Sequence, residues 1–356
     1  MAGSRNKKFT VIDLFCGCGG LSYGFVQSGY DVTLGVDHDD AALKTFEANH
    51  PDSVTLNTDL SKPGIVRDIK KRTGKGKVDV IIAGPPCQGF SLTGPRNFDD
   101  DRNKLYLTVI KMVGSLKPKA FLVENVPGLV GLYKGMIKDE IIKRFEQKGY
   151  NVSVETLCAA DYGVPQLRKR VFFVGLKKNL GRFVFPRPTH TENNYVTCGE
   201  AISDLPSRKG DLGREEDKYI MPPKSPYQKR IRRNCRKLYN HVATDHKNFV
   251  KEVISLVPEG KNYKALPPGV GTSRRFNEAW TRYHSRKPSR TIDTGHRNHF
   301  HYKYNRVPTI RENARLQSFH DSFIFFGTRT QQNKHVGNAV PPLLGYHIAK
   351  KLLKYI

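Results

Sequence analysis

Four short stretches combine reactive residue types with spacings that would bring them together. Asp13 to Gly20 (DLFCGCGG) is a glycine-rich turn between an apolar run and a helix-like stretch. Missing side chains there let a ligand approach backbone N–H groups, although a tight strand-to-helix turn needing positive φ has the same composition. Asp37 ends the next apolar run about twenty residues on, where an acid can accept bonds from ribose hydroxyls. The spacing is not G-x-G-x-x-G, so an adenosyl-type cofactor fits better than a nicotinamide dinucleotide. In PPCQGFS (85–91) two prolines pin the backbone beside Cys87, and Gln88, Gly89 and Ser91 make a polar loop, which favours a nucleophilic thiolate over a buried structural cysteine. Glu124 in ENV would be solvated alone; across a crevice from a cysteine it would meet a ring nitrogen and an exocyclic amine. In QLRKR (166–170), Arg168 and Arg170 share one face at period two, a solvated basic edge if the run stood alone.

These stretches meet only if strands end side by side. Residues 9–14 (FTVIDL), 32–36 (VTLGV), 78–83 (VDVIIA), 120–123 (AFLV) and 170–175 (RVFFVG) read as buried strands. Helices are expected after the first turn through Phe25, over 38–49 (HDDAALKTFEAN), and over 342–356, where apolar residues recur at helical spacing behind a proline pair. This alternation predicts an α/β fold with a doubly wound parallel sheet. Loops at the carboxyl ends of such strands face the ligand crevice.

Composition narrows the partner. The chain has 356 residues, with 60 Lys and Arg against 33 Asp and Glu, a net charge of +27. A polyanion leads, because lysine and arginine gain binding free energy as phosphate counterions are released. The basic tract lacks the long apolar face of surface-lying helices, which disfavours a membrane. Sparse cysteines (Cys16, Cys18, Cys87, Cys158, Cys198 and Cys235) and no signal-like or membrane-length apolar run point to a soluble protein of a reducing compartment. Residues 207–306 carry 24 Lys and Arg against 9 Asp and Glu. With the strand rhythm breaking near Phe185, the expected division is a catalytic and cofactor-binding domain (1–184), a basic target-recognition domain (185–306), and a segment returning to the first (307–356).

Read in order, FCGCGG, VDHD, PPCQGFS, ENV, QLRKR, RENARLQSF and HVGNAVPP resemble the motif blocks of the C5-cytosine-specific DNA methyltransferase family, in its prokaryotic restriction–modification form. The resemblance covers residues 9–178 and 288–356 and implies a Rossmann-like domain that uses S-adenosylmethionine, with a smaller basic recognition domain. It assigns the cofactor to Phe15, Gly17, Gly19 and Gly20, with Asp37 on the ribose hydroxyls and His38, where the family more often has a bulky aromatic, facing the adenine. Asp59 and Leu60 would meet the adenine amine, Leu105 would line the same pocket, and Asn338 would return from the C-terminal segment. Cys87 thiolate would add at C6 of cytosine, Glu124 would bind N3 and the exocyclic amine, and Arg170, with Arg168 close by, would contact the O2 side. Because the target carbon lies inside the duplex stack, the base must rotate out, with Gln88 and Ser91 as candidates to close over it.

Arg274, Arg275, Arg282, Arg286, Arg290 and Arg297 are candidates for guanine readout, although most such side chains contact phosphates. Thr291 and Ile292 resemble the Thr-aliphatic pair that the family places near the bases. The histidines of 296–301 (HRNHFH), with Cys198, Cys235 and His241, lack tetrahedral zinc spacing, so no metal is expected. The expected protein methylates a short double-stranded DNA sequence as a monomer, cytoplasmic and nucleoid-associated, beside a separate cognate restriction endonuclease. A tRNA-modifying relative is disfavoured because its Cys-Phe-Thr insert is missing. A non-enzymatic DNA-binding protein is disfavoured by Cys87, Glu124, Arg168 and Arg170.

Overall fold

A computed structural model describes residues 8–73, 77–86, 104–270, 279–295 and 298–356. The chain divides into two compact units, one of Met1–Leu157, Lys169–Arg187 and Gly345–Ile356, the other of Cys158–Arg168 and Pro188–Leu344. Only the last part of the expected returning segment falls in the first unit, since 307–344 lie in the second.

The first unit alternates β1 (Thr10–Leu14), α1 (Gly20–Gln27), β2 (Asp31–Asp37), α2 (Asp40–Asn49), β3 (Val54–Asn57), α3 (Ile65–Arg72), β4 (Val80–Ala83), α4 (Lys104–Leu116), β5 (Ala120–Asn125), α5 (Gly128–Gly131), α6 (Met136–Glu146), β6 (Tyr150–Cys158) and β7 (Lys169–Lys177). One seven-stranded sheet results, in the order β3-β2-β1-β4-β5-β7-β6. The sheet is not wholly parallel, as expected from sequence, because β7 runs antiparallel to β5. The strands legible in the sequence are the interior ones of the sheet, whose mostly buried positions make them predominantly apolar. Helix α2 starts two residues after the expected position because Asp39 caps it, accepting from the N–H groups of Ala41 and Ala42.

Register fixes what the sheet presents. Leu14 pairs with Val36 and with Ala83, and Ala83 pairs with Val123. Four neighbouring strands therefore end level, and the next residues, Phe15, Asp37, Gly84 and Glu124, follow at one edge.

The second unit is built differently, from α7 (Cys198–Ile202), β8 (Glu216–Lys218), α8 (Pro226–Ile231), β9 (Lys237–Tyr239), α9 (Asn248–Leu256), β10 (Thr281–Arg282), β11 (His299–Phe300), α10 (Ile310–Leu316) and α11 (Arg329–Asn338). Capping boxes start α7, α8, α10 and α11. Its interior holds paired charges as well as apolar groups. Arg306 grips Glu312 with two parallel bonds of 2.7 and 2.6 Å, and Arg315 lies between Asp204 and Asp321. The chain closes with α12 (Pro342–Leu352), which from Gly345 belongs to the first unit, where Tyr30 donates to Ala349 O at 3.1 Å.

The same interior predicts acid sensitivity. His241, with Thr309 Oγ1 and Pro206 O each 2.8 Å from its ring nitrogens, is lowered to about 4 by burial, and His301 to about 3 for the same reason. Burial acts to raise Glu312, but Arg306 and His301 outweigh it and hold the carboxyl well below its usual range. Depressed histidines resist protons that the unfolded chain accepts, so their stabilisation is complete above 6.5 and drains as pH falls towards 4. Glu312 adds to the loss below its ordinary 4.5. The expected loss is on the order of 3 kcal/mol for each histidine. Thermal melts between neutrality and pH 5 should show a falling Tm whose slope His241→Gln reduces, with His301 supplying the rest; a constant Tm would contradict this account.

Candidate active site

The level strand ends of the first unit carry the side chains that can do chemistry. Phe15 leaves β1 with φ 62, left-handed for a bulky aromatic. Strain of this kind marks a place where the fold overrules local preference. The two glycines after it serve different ends. A Cβ on Gly19 (φ +89) would stand 2.4 Å from His50 Nε2 and 2.8 Å from the Phe46 ring, so this glycine is required by packing. A Cβ on Gly17 (φ +52) would meet nothing within 4 Å, which leaves the backbone there open to a ligand. Gly20 begins α1, buried.

Asp37 Oδ2 accepts from Gly17 N at 2.8 Å, and Oδ1 from the N–H groups of His38 and Asp39 at 2.7 and 3.0 Å. A carboxylate has about four acceptor sites, so Oδ2 keeps capacity for a hydroxyl donor. His38 is largely exposed, with Nδ1 3.4 Å from Asp37 Oδ1. Asp59 is exposed and lowered, first by its bond from Ser61 N. Leu60 is buried, and Leu105 packs partly buried against the same apolar core. Beneath the turn, Asp13 accepts from Ser22 Oγ at 2.6 Å, and burial pushes its carboxyl up to about 8.

At the end of β5, Glu124 is nine-tenths buried, and its Oε1 lies 2.9 Å from Arg170 Nε on β7. Burial lowers Arg170 below its usual range, opposed by Glu124. The next residue has a role that sequence reasoning missed: buried Asn125 donates to Pro85 O at 3.0 Å. That bond fastens the start of the Pro-Pro-Cys loop to the strand carrying Glu124. Adjacency to Glu124 was the only available signal. Cys87, Gln88 and Ser91 lie outside the described residues, as do Arg274, Arg275 and Arg297.

The remaining candidates belong to the second unit. Arg168 is fully buried, and its guanidinium donates to Ile292 O at 3.2 Å and Gly337 O at 2.8 Å, so it braces that unit's backbone. Arg282 is not placed to read bases. It is 5% exposed and donates to Val257 O and Ile254 O at the end of α9, to His301 O and to Asn305 Oδ1. Ile292 is buried; Arg286, Arg290, Thr291 and Asn338 are exposed. With Arg208 and Arg306 also buried, part of the charge excess of 207–306 is used internally.

A sheet of this order, with a glycine turn, an acid and a buried Glu–Arg pair at one end, defines an α/β enzyme of the methyltransferase class. A solved E. coli prophage protein assigned by name as a DNA modification methyltransferase superposes with a TM-score of 0.80 at 28% identity, covering 98% of this chain and 99% of that one. The chain belongs to the C-5 cytosine-specific DNA methylase family, whose model matches residues 9–354. It is 40% identical over 351 residues to the Type II methyltransferase M1.HphI of Haemophilus parahaemolyticus, covering 97% of this chain and 87% of the relative. It is 37% identical to the Type II methyltransferase M.DdeI of Desulfomicrobium norvegicum, covering 97% and 88%. Among the described residues no helix is long and apolar enough to cross a membrane.

Proposed function

We propose that this DNA (cytosine-5) methyltransferase is the modification enzyme of a restriction–modification system, acting in the cytoplasm as a monomer on a short double-stranded sequence, with a cognate endonuclease acting separately. The observation that carries the reading is the level ending of four strands, which sets Phe15, Asp37, Gly84 and Glu124 along one edge.

The open backbone at Gly17 and the spare capacity of Asp37 fit an adenosyl cofactor. S-adenosylmethionine supplies an electrophilic methyl group when bound. Phe15, Gly17, Gly19, Gly20, Asp37, His38, Asp59, Leu60 and Leu105 would hold it, with Asn338. Cytosine C5 is too electron-poor to take a methyl unaided, so Cys87 thiolate adds at C6 and turns C5 into a nucleophile. Glu124, held by Arg170, binds N3 and the exocyclic amine and stabilises the charge that develops there. Once C5 carries the methyl group, loss of its proton to water re-forms the C5–C6 double bond as Cys87 leaves as thiolate. Gln88 and Ser91 close over the extruded base, while the second unit grips the duplex, with Arg274, Arg275, Arg286, Arg290, Thr291 and Arg297 as its contacts. The direct test uses duplex DNA carrying 5-fluorocytosine at the target. Fluorine cannot leave as a proton does, so a covalent protein–DNA complex is expected in the presence of cofactor; no adduct under turnover conditions would overturn the mechanism.

A further inference from the structure

The end of the first unit's sheet away from Glu124 carries a row of lysines that the reaction does not use. Lys8 precedes β1, Lys77 precedes β4, Lys117 and Lys119 precede β5, Lys148 precedes β6, and Lys177 and Lys178 lie where β7 ends. Hydrogen bonds join these positions into one edge. Thr10 Oγ1 donates to Lys77 O at 2.5 Å, Lys119 N to Asp79 O at 2.8 Å, Lys177 N to Lys119 O at 3.0 Å and Lys178 N to Gly149 O at 3.1 Å.

Little opposes this charge. Asp79 is buried and already engaged, 3.4 Å from Lys119 Nζ and accepting from Thr10 N at 3.1 Å. Asp31 and Glu146 are half-buried, whereas Lys8, Lys77, Lys117, Lys148 and Lys178 are exposed. With neighbouring strands about 4.8 Å apart, the row from β1 across β4, β5 and β7 to β6 spans about 20 Å. Duplex DNA presents roughly a dozen phosphates over that length. Lysine is a mobile point charge, suited to phosphates and poor at reading bases.

We propose that this edge is a second, sequence-independent duplex-binding surface, which holds a separate DNA segment by its phosphates while the opposite end of the sheet methylates the target. A chain that grips two segments can pass from one to the other without entering solution. The proposal rests on the carboxyl end being the methylating end, and the experiment separates the two.

The test follows dissociation of the full-length protein from a short labelled target duplex as unlabelled duplex is added. Direct transfer makes the dissociation rate climb with competitor, by about threefold or more at low salt, and the climb fades as salt rises. The variant combining Lys77→Gln, Lys117→Gln, Lys148→Gln and Lys178→Gln should lose this dependence while methylating the short duplex at the unaltered rate. The proposal is overturned by a variant that still accelerates, by a wild-type rate indifferent to competitor, or by anionic phosphatidylserine vesicles accelerating release as well as duplex does. A wild-type protein that accelerates normally but never methylates would instead sink the catalytic reading.

Discussion

Cys87→Ser is expected to lower methyl transfer on the order of 10⁴-fold or more, with affinity for the target duplex changed by less than about threefold. A serine hydroxyl keeps its proton near neutral pH and cannot supply the anion that a thiol does. Without addition at C6, the pocket can still bind the base but leaves C5 unreactive. The surroundings of the loop remain in place, because Asn125 fastens Pro85 through backbone and Glu124 keeps its bond to Arg170. Incorporation of labelled methyl groups and gel mobility with the same duplex read the two quantities separately. Substantial turnover in the variant would remove Cys87 from the chemistry, and parallel loss of binding would point to a collapsed loop.

Arg315→Leu is expected to destabilise the second unit by about 3–5 kcal/mol, the usual result of removing one partner from a buried ionic cluster. Arg315 is fully buried, donates from Nε and Nη2 to Asp321 at 3.0 and 2.7 Å, and is bonded to Asp204. Leucine leaves both carboxylates in place, with Arg232 at 3.2 Å from Asp204 and Arg311 at 3.8 Å from Asp321 as partial replacements. Denaturant titration followed by tryptophan fluorescence suits the measurement, since the single Trp280 lies in this unit. A change below about 1 kcal/mol, the scale of a surface ion pair, would mean that water reaches the cluster.

How far the sequence reveals this molecule depends on burial. The strands β1, β2, β4, β5 and β7 are legible because their mostly buried positions make them predominantly apolar. The edge strands escape notice: β3 is VTLN with both ends exposed, and β6 mixes buried with exposed positions over YNVSVETLC. The direction of β7 is unreadable because a strand's residues are the same whichever way it runs. In the site, Asp37 and Glu124 announce themselves at the carboxyl ends of strands, and Arg170 by opening one. Arg168 and Arg282 mislead, since a one-dimensional charge run does not show which guanidinium faces water and which is closed in by carbonyls. The buried Asn125 carries no chemical signature until its bond to Pro85 is seen.

The way the chain weaves between its units limits how the second unit can be exchanged among relatives. Gln166 donates to Leu316 O and Gln317 Oε1, its own Oε1 accepts from Ile292 N, and Leu167 N donates to Ser289 O. The short stretch Cys158–Arg168 is thus stitched into the second unit although it lies between two strands of the first. Swapping 188–344 alone would leave these stitches facing foreign partners. A transplant of the second unit therefore has two pieces, and the smaller one lies between two strands of the first.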